Sequence, residues 1–143
     1  MAEAPKREKT VSSEVVSPSV SSLGVFDDPA YAKLALEKAP ALGFDKFIVT
    51  ATTPFDRGDL AELGRDAPAV VARRYPQYAA IYATRGWQML PTLDRVYVNA
   101  HARERLGWQP RYDFERALRN LAAGEDYRSE LARAIGSKGY HPA

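Results

Sequence analysis

Two arginines stand two residues ahead of large aromatics in this 143-residue chain, Arg85 before Trp87 and Arg95 before Tyr97. Trp87 and Tyr97 are large aromatics in or beside loops, and with Arg85 and Arg95 they are the candidate substrate-binding residues. Each pair also has a plainer reading. Arg95 directly follows Asp94, which makes a surface ion pair. Trp87, near Arg85 and Met89, suits ordinary packing as well as it suits a pocket or an interface. Other chemistry is poorly supported. His101 and His141 lie forty residues apart, neither has a histidine four residues away, and no further ligands stand at zinc spacing. Ser129, near Glu130 and Arg133, has no histidine base in sequence reach, so no hydrolase triad is implied. Asp27-Asp28 are paired carboxylates that a helix N-cap explains without catalysis. There is no cysteine, which removes disulfides, thiolate catalysis and cysteine metal sites.

The chain is long enough for one domain with a modest core. Its 20 basic and 18 acidic residues are interspersed, and Arg73-Arg74 is the longest basic run, so no nucleic-acid footprint is indicated. No apolar stretch approaches the ~18 residues that span a bilayer, and no apolar h-region follows the N-terminus. The expected location is the cytoplasm, with no membrane insertion.

Residues 1–22 contain six Ser and two Pro and no aromatic residue. Such a segment buries too little apolar surface to offset its ordering entropy, which predicts a flexible tail or linker ahead of a domain over residues 23–143. Beyond it, caps and breakers delimit the elements. Asp27-Asp28 and Pro29 open a helix through Tyr31, Leu34 and Lys38 that should stop before Pro40. Phe47-Ile48-Val49 reads as the best strand, broken by Thr52-Thr53-Pro54. Asp56 or Asp59 caps a helix through Leu60 and Leu63 to Gly64. A second helical run goes from Asp66 to Arg74, and a third from Pro76 to Gly86 with Tyr78, Ile81 and Tyr82 at helical spacing. A loop over residues 87–93 leads to a second short strand over residues 95–98. Ala100 to Leu106 is helical and Gly107 ends it. Trp108 plugs the core between that helix and the next, which Asp113 caps and Gly124 ends. A last helix over residues 127–135 stops at Gly136. The fold class this gives is α+β, mostly α-helical, with two or three short strands. Two isolated strands make a marginal sheet, so they call for strands supplied by something else.

From about Val25 to His141 the order and spacing of these pieces resemble the C-terminal substrate domain of NAD-dependent epimerases/dehydratases, in the extended short-chain dehydrogenase/reductase family. The segment that carries most of the resemblance is Leu106-Gly107-Trp108-Gln109-Pro110 between two helices, with Asp113 as the following cap. The resemblance implies a partial substrate domain without a complete Rossmann fold, whose cofactor-binding and catalytic parts would precede it. It also implies a nucleotide-sugar ligand, with Arg95 near the place where the family carries an arginine that clamps the substrate diphosphate. That clamp normally precedes the aligned Asp, at about Pro91, whereas Arg95 follows Asp94.

Departures from the family bear on function. Its glycine-rich turn needs G-x-x-G-x-x-G, and none of the nine glycines here has that spacing. Its catalytic Tyr and Lys stand four apart, and no Tyr-x-x-x-Lys occurs in this chain. The chain alone is therefore expected to bind no cofactor and to be non-catalytic, and NAD is implied only if a Rossmann partner is present. Two roles follow as expectations. One is a binding or assembly subunit, or a truncated remnant, joined to a protein partner or a second copy of itself. The other is the substrate-binding half of a split NAD-dependent sugar-nucleotide epimerase/dehydratase.

Overall fold

Short polar side chains and glycines punctuate the chain, and the computed structural model, which describes residues 29–135, follows that punctuation closely. Seven helices form among the described residues: α1 (Ala30–Leu42), α2 (Leu60–Leu63), α3 (Ala67–Arg74), α4 (Tyr78–Ala83), α5 (Ala100–Leu106), α6 (Phe114–Ala122) and α7 (Glu130–Ile135). The tail over residues 1–22, the Asp27-Asp28 cap, the Gly136 stop and His141 lie outside the described residues. Asp66 accepts the Ala69 amide at 3.1 Å and opens α3. Asp113 accepts the Arg116 amide at 2.8 Å and opens α6. Each supplies an acceptor to a first-turn amide that has none within the helix. Gly107 ends α5 in the left-handed region, φ 68°, with its amide on the Arg103 carbonyl at 2.9 Å. A side chain there would be strained.

Helix ends differ from expectation in places, and α4 is shorter at both ends than the expected run from Pro76 to Gly86. The first helix does not stop before Pro40 but runs through it to Leu42. The amide that proline lacks falls in the last turn, so only one helical bond is lost, and Gly43 still donates to the Ala39 carbonyl at 3.2 Å. The last helix starts at Glu130 rather than at residue 127, because Asp126 turns the chain by accepting the Arg128 amide at 2.9 Å. Ser129 then takes the Ala132 amide at 3.0 Å, the role of a cap.

The core has two parts. In the larger, Leu63, Val70, Val71, Tyr78 and Tyr82 pack on the face of α6 that carries Phe114, Ala117 and Leu118. Those three, with Leu121, follow the i, i+3, i+4, i+7 spacing of one helix face and are all buried. In the smaller, Ala102, Leu106 and Trp108 are buried against Tyr31, Leu34, Ala35 and Leu42 of α1, and against Phe47 and Val49. Trp108 is the expected plug, 1% exposed, but it seals α5 to α1 rather than α5 to α6. The turn at left-handed Gly107 leaves the indole on the α1 side, edge-on to Tyr31 at 5.9 Å. Among the described helices α1 packs only on α5.

The expected strands do not form. Among the described residues no strand occurs, and residues 47–53 and 94–98 make no backbone-to-backbone hydrogen bond. The composition of Phe47-Ile48-Val49 favours extended backbone, yet a strand also needs a neighbour whose amides and carbonyls complete a ladder. Asn99, just past the second segment, donates its carboxamide to the Thr50 carbonyl at 2.9 Å and to Thr52 Oγ1 at 3.2 Å. The described chain is therefore mostly helical and contains no complete Rossmann fold. No described helix is long and apolar enough to cross a membrane.

Candidate functional site: an unladdered extended surface

The structure brings Arg95 and Tyr97 together and leaves Arg85 and Trp87 elsewhere. Arg95 Nε lies 3.5 Å from Asp94 Oδ2, with both side chains well exposed, at 72% and 85%. A hydrogen bond to Tyr97, with the charge of Asp94 behind it, holds the guanidinium above its ordinary range. Arg95 and Tyr97 border a cavity between the two extended segments, which Thr50, Thr53 and Leu93 also line. Its volume is about 20 Å³, room for about one water and far below the ~300–1,000 Å³ of a small-molecule site. As the chain stands, these residues do not enclose a nucleotide sugar.

Arg85 and Trp87 serve the larger core. The Arg85 guanidinium donates to the Leu121 carbonyl at 2.8 Å, supplying a donor and a positive charge to the C-terminal turn of α6. It also lies 5.7 Å from the Trp87 ring centroid. Trp87 in turn sits edge-on to Tyr82 at 5.7 Å and to Tyr127 at 6.4 Å. Neither residue lines the cavity at Arg95.

A cluster that sequence reasoning missed stands at the start of the first extended segment. His101 Nε2 lies 2.9 Å from Asp45 Oδ1 and Arg105 Nε 3.5 Å from Asp45 Oδ2. The Lys46 amide donates to Asp45 Oδ1 at 2.7 Å, and the His101 ring stacks on Phe47 at 5.3 Å and 22°. The His101 hydrogen bond is the largest influence holding the Asp45 carboxyl below its usual range, helped by the Lys46 amide and the charges of His101 and Arg105 and opposed by burial. His101 and Arg105, four apart on one face of α5, were the available signal. Their partner is 56 residues from His101 and could not be paired with it from spacing alone.

A second, open groove of about 750 Å³ runs along α6 and α7, with Arg116, Arg128 and Arg133 facing Glu125, Asp126 and Glu130. Arg128 grips Asp126 at 2.8 Å, and Arg116 lies over the Tyr112 ring at 4.3 Å. Charges of both signs share the groove, which therefore has no single-sign field for an anion or a cation. No group of three metal-ligating side chains occurs among the described residues.

What remains uncovered is backbone and apolar surface. Phe44 is 89% exposed and Val98 57%, and Ile48 and Tyr97 are each exposed by nearly half. They flank the backbone that has no ladder. Comparison with known proteins yields no match, whether among family models, curated proteins or solved structures.

Proposed function

We propose that the chain is a non-catalytic, epimerase/dehydratase-derived domain that acts as a binding or assembly subunit. The observation that carries this reading is the pair of extended segments, residues 47–53 and 94–98, whose backbone forms no ladder within the described chain. Extended backbone with unpaired amides and carbonyls beside Phe44, Ile48, Tyr97 and Val98 is a template for strand addition. Phe47 and Val49 turn toward α1 and α5 while Ile48 faces out. A run apolar on both sides suits a strand covered on both faces. The partner is thus a protein, or a second copy of the chain, that brings a sheet edge. The cytoplasm is the proposed location.

A second reading keeps the family's activity. Arg95 and Tyr97 stand on the same unladdered surface, so a Rossmann-fold partner docking there would place them beside its sheet. The chain would then be the substrate half of a split NAD-dependent enzyme, with a nucleotide sugar as ligand.

Sedimentation at tens of micromolar, alone and with a captured partner, tests the first reading. Lys46→Pro with Ile48→Lys should weaken the association, with far-UV circular dichroism confirming that the helices survive. A stable, folded monomer with no partner would refute it. Calorimetric titration with NAD separates the two roles: the chain alone is expected to show no binding tighter than about 100 μM, near −5.5 kcal/mol. A partner-completed complex that binds NAD and turns over a nucleotide sugar would favour the split enzyme.

A further inference from the structure

The groove along α6 and α7 begins where the described chain begins. Pro29, the first described residue, lines it together with Arg111 and Tyr112. The Tyr31 ring sits edge-on to Trp108 at 5.9 Å, which fixes the start of α1 beside the stretch that leads into α6. Residue 28 is bonded to Pro29, so Leu23-Gly24-Val25-Phe26-Asp27-Asp28 is tethered at the mouth of the groove. Six residues reach about 20 Å when extended, and the nine residues of α6 span about 13 Å. The segment is long enough to run the length of that helix.

The groove carries both signs of charge, but they are not evenly answered. At one end the Arg116 guanidinium donates to the Arg111 carbonyl at 3.2 Å and lies over the Tyr112 ring at 4.3 Å. Among the described residues it pairs with no carboxylate. Toward the other end Arg128 grips the Asp126 carboxylate at 2.8 Å, and Asn120 donates to the Asp126 carbonyl at 3.1 Å. Leu131, which also lines the groove, is apolar and 41% exposed. The tethered segment has the matching order: two carboxylates next to Pro29, then Phe26 and Val25. One carboxylate suffices for the cap expected ahead of α1, which leaves the other for Arg116.

We propose that residues 23–28 of this chain seat in the groove, with the Asp27-Asp28 carboxylates at Arg116 and the Val25-Phe26 side chains against Leu131. Tethering makes modest contacts sufficient. A short linker supplies an effective concentration in the millimolar range, so an intrinsic dissociation constant of about 1 mM fills the groove about half of the time. The seated segment ties α1, which packs only on α5 among the described helices, to the outer face of α6 and to α7. Residues 47–53 and 94–98 do not line this groove, so the proposal does not depend on strand addition there.

The test is paramagnetic broadening in the full chain, which has no cysteine of its own, so Ser22→Cys takes a single nitroxide label. With the segment seated, the amide signals of Asn120 and Leu131 should broaden as well as those beside Pro29. Asp27→Asn with Asp28→Asn should lower the seated fraction by roughly two- to five-fold, the scale of an exposed ion pair. Arg116→Gln should do the same, and combining the changes should add little, because both remove one contact. Phe26→Ser should release the apolar end, with broadening at Leu131 falling most. Broadening confined to the residues beside Pro29, or left unmoved by these substitutions, would overturn the proposal. Labelled chain mixed with unlabelled, isotope-enriched chain should give no broadening of the groove signals. Broadening there would make the groove an interface between copies and overturn the proposal as well.

Discussion

Replacing Trp108 by alanine should release α1 while the rest of the fold stays closed. Removing a buried tryptophan side chain costs about 3–5 kcal/mol. The indole N–H is buried and has no hydrogen-bond partner among the described residues, and losing an orphan donor recovers part of that cost. The net loss should sit near the lower end, about 3 kcal/mol. It should fall on one helix. No residue of the 13-residue α1 is itself buried, and among the described helices it packs only on α5. Its hold is the cluster of Tyr31, Leu34, Ala35 and Leu42 around Trp108, Leu106 and Ala102. A helix of this length is marginal on its own in water. Native-state amide exchange, read by mass spectrometry on the full chain, is the assay. Protection in α1 should fall by about 100-fold, the factor equivalent to ~3 kcal/mol. Protection in α3 and α6, which belong to the other cluster, should change little. Trp108→Phe keeps a ring against Tyr31 and discards the orphan N–H, so it should cost less than about 1.5 kcal/mol. Equal loss of protection in α1 and α6 would show one cooperative core, and a loss below about 1 kcal/mol would show that Trp108 does not hold α1; either would refute the reasoning.

Two further outcomes are expected. Asp113→Ala removes the acceptor of the Arg116 amide and should lower stability to urea by about 1 kcal/mol with no change in the slope of the transition; an unchanged midpoint would mean that the cap contributes nothing. The Arg128 guanidinium, hydrogen-bonded to Asp126, depresses that carboxyl to about 2 from an ordinary 3.8, so the pair adds stability above the ordinary value and loses it as pH falls toward the folded one. Carboxyl carbon shifts should show the Asp126 titration moving up toward its ordinary value in Arg128→Gln, the residue-128 amide and the Arg133 charge still holding it below, and an unmoved titration would contradict the assignment.

How much of the chain could be read from sequence depended on how far apart the partners of each interaction lie. Asp66 and Asp113 cap amides three residues away, and Gly107 ends a helix by its own φ. Such features are visible in a window of a few residues, and α3, α5 and α6 form where they were expected. Pro40 misled because its effect depends on where it falls in the helix: in the last turn of α1 it removes one bond rather than breaking the run. Arg95 and Tyr97 do meet, but the size of the space beside them is set by neighbouring Leu93 and by Thr50 and Thr53 from a segment distant in sequence. The Asp45 cluster was hidden for the same reason.

The strands are a different case. Phe47-Ile48-Val49 and the Arg95–Val98 stretch have the composition of strands and adopt none of the pairing that would make them strands. Local preference and tertiary structure agree along the helices and part company at these two segments. In a foldable sequence the two levels ordinarily support each other, and exceptions gather where something other than the fold sets the requirement. Burial does not explain the exception, because Ile48 and Val98 are among the exposed large apolar residues. Two extended segments without a ladder among the described residues, with Ile48 and Val98 on the outer side, leave apolar surface in water that an interface would cover. A partner strand would satisfy the backbone and cover Ile48 and Val98 in the same step, which supports docking over catalysis as the proposed role of this surface.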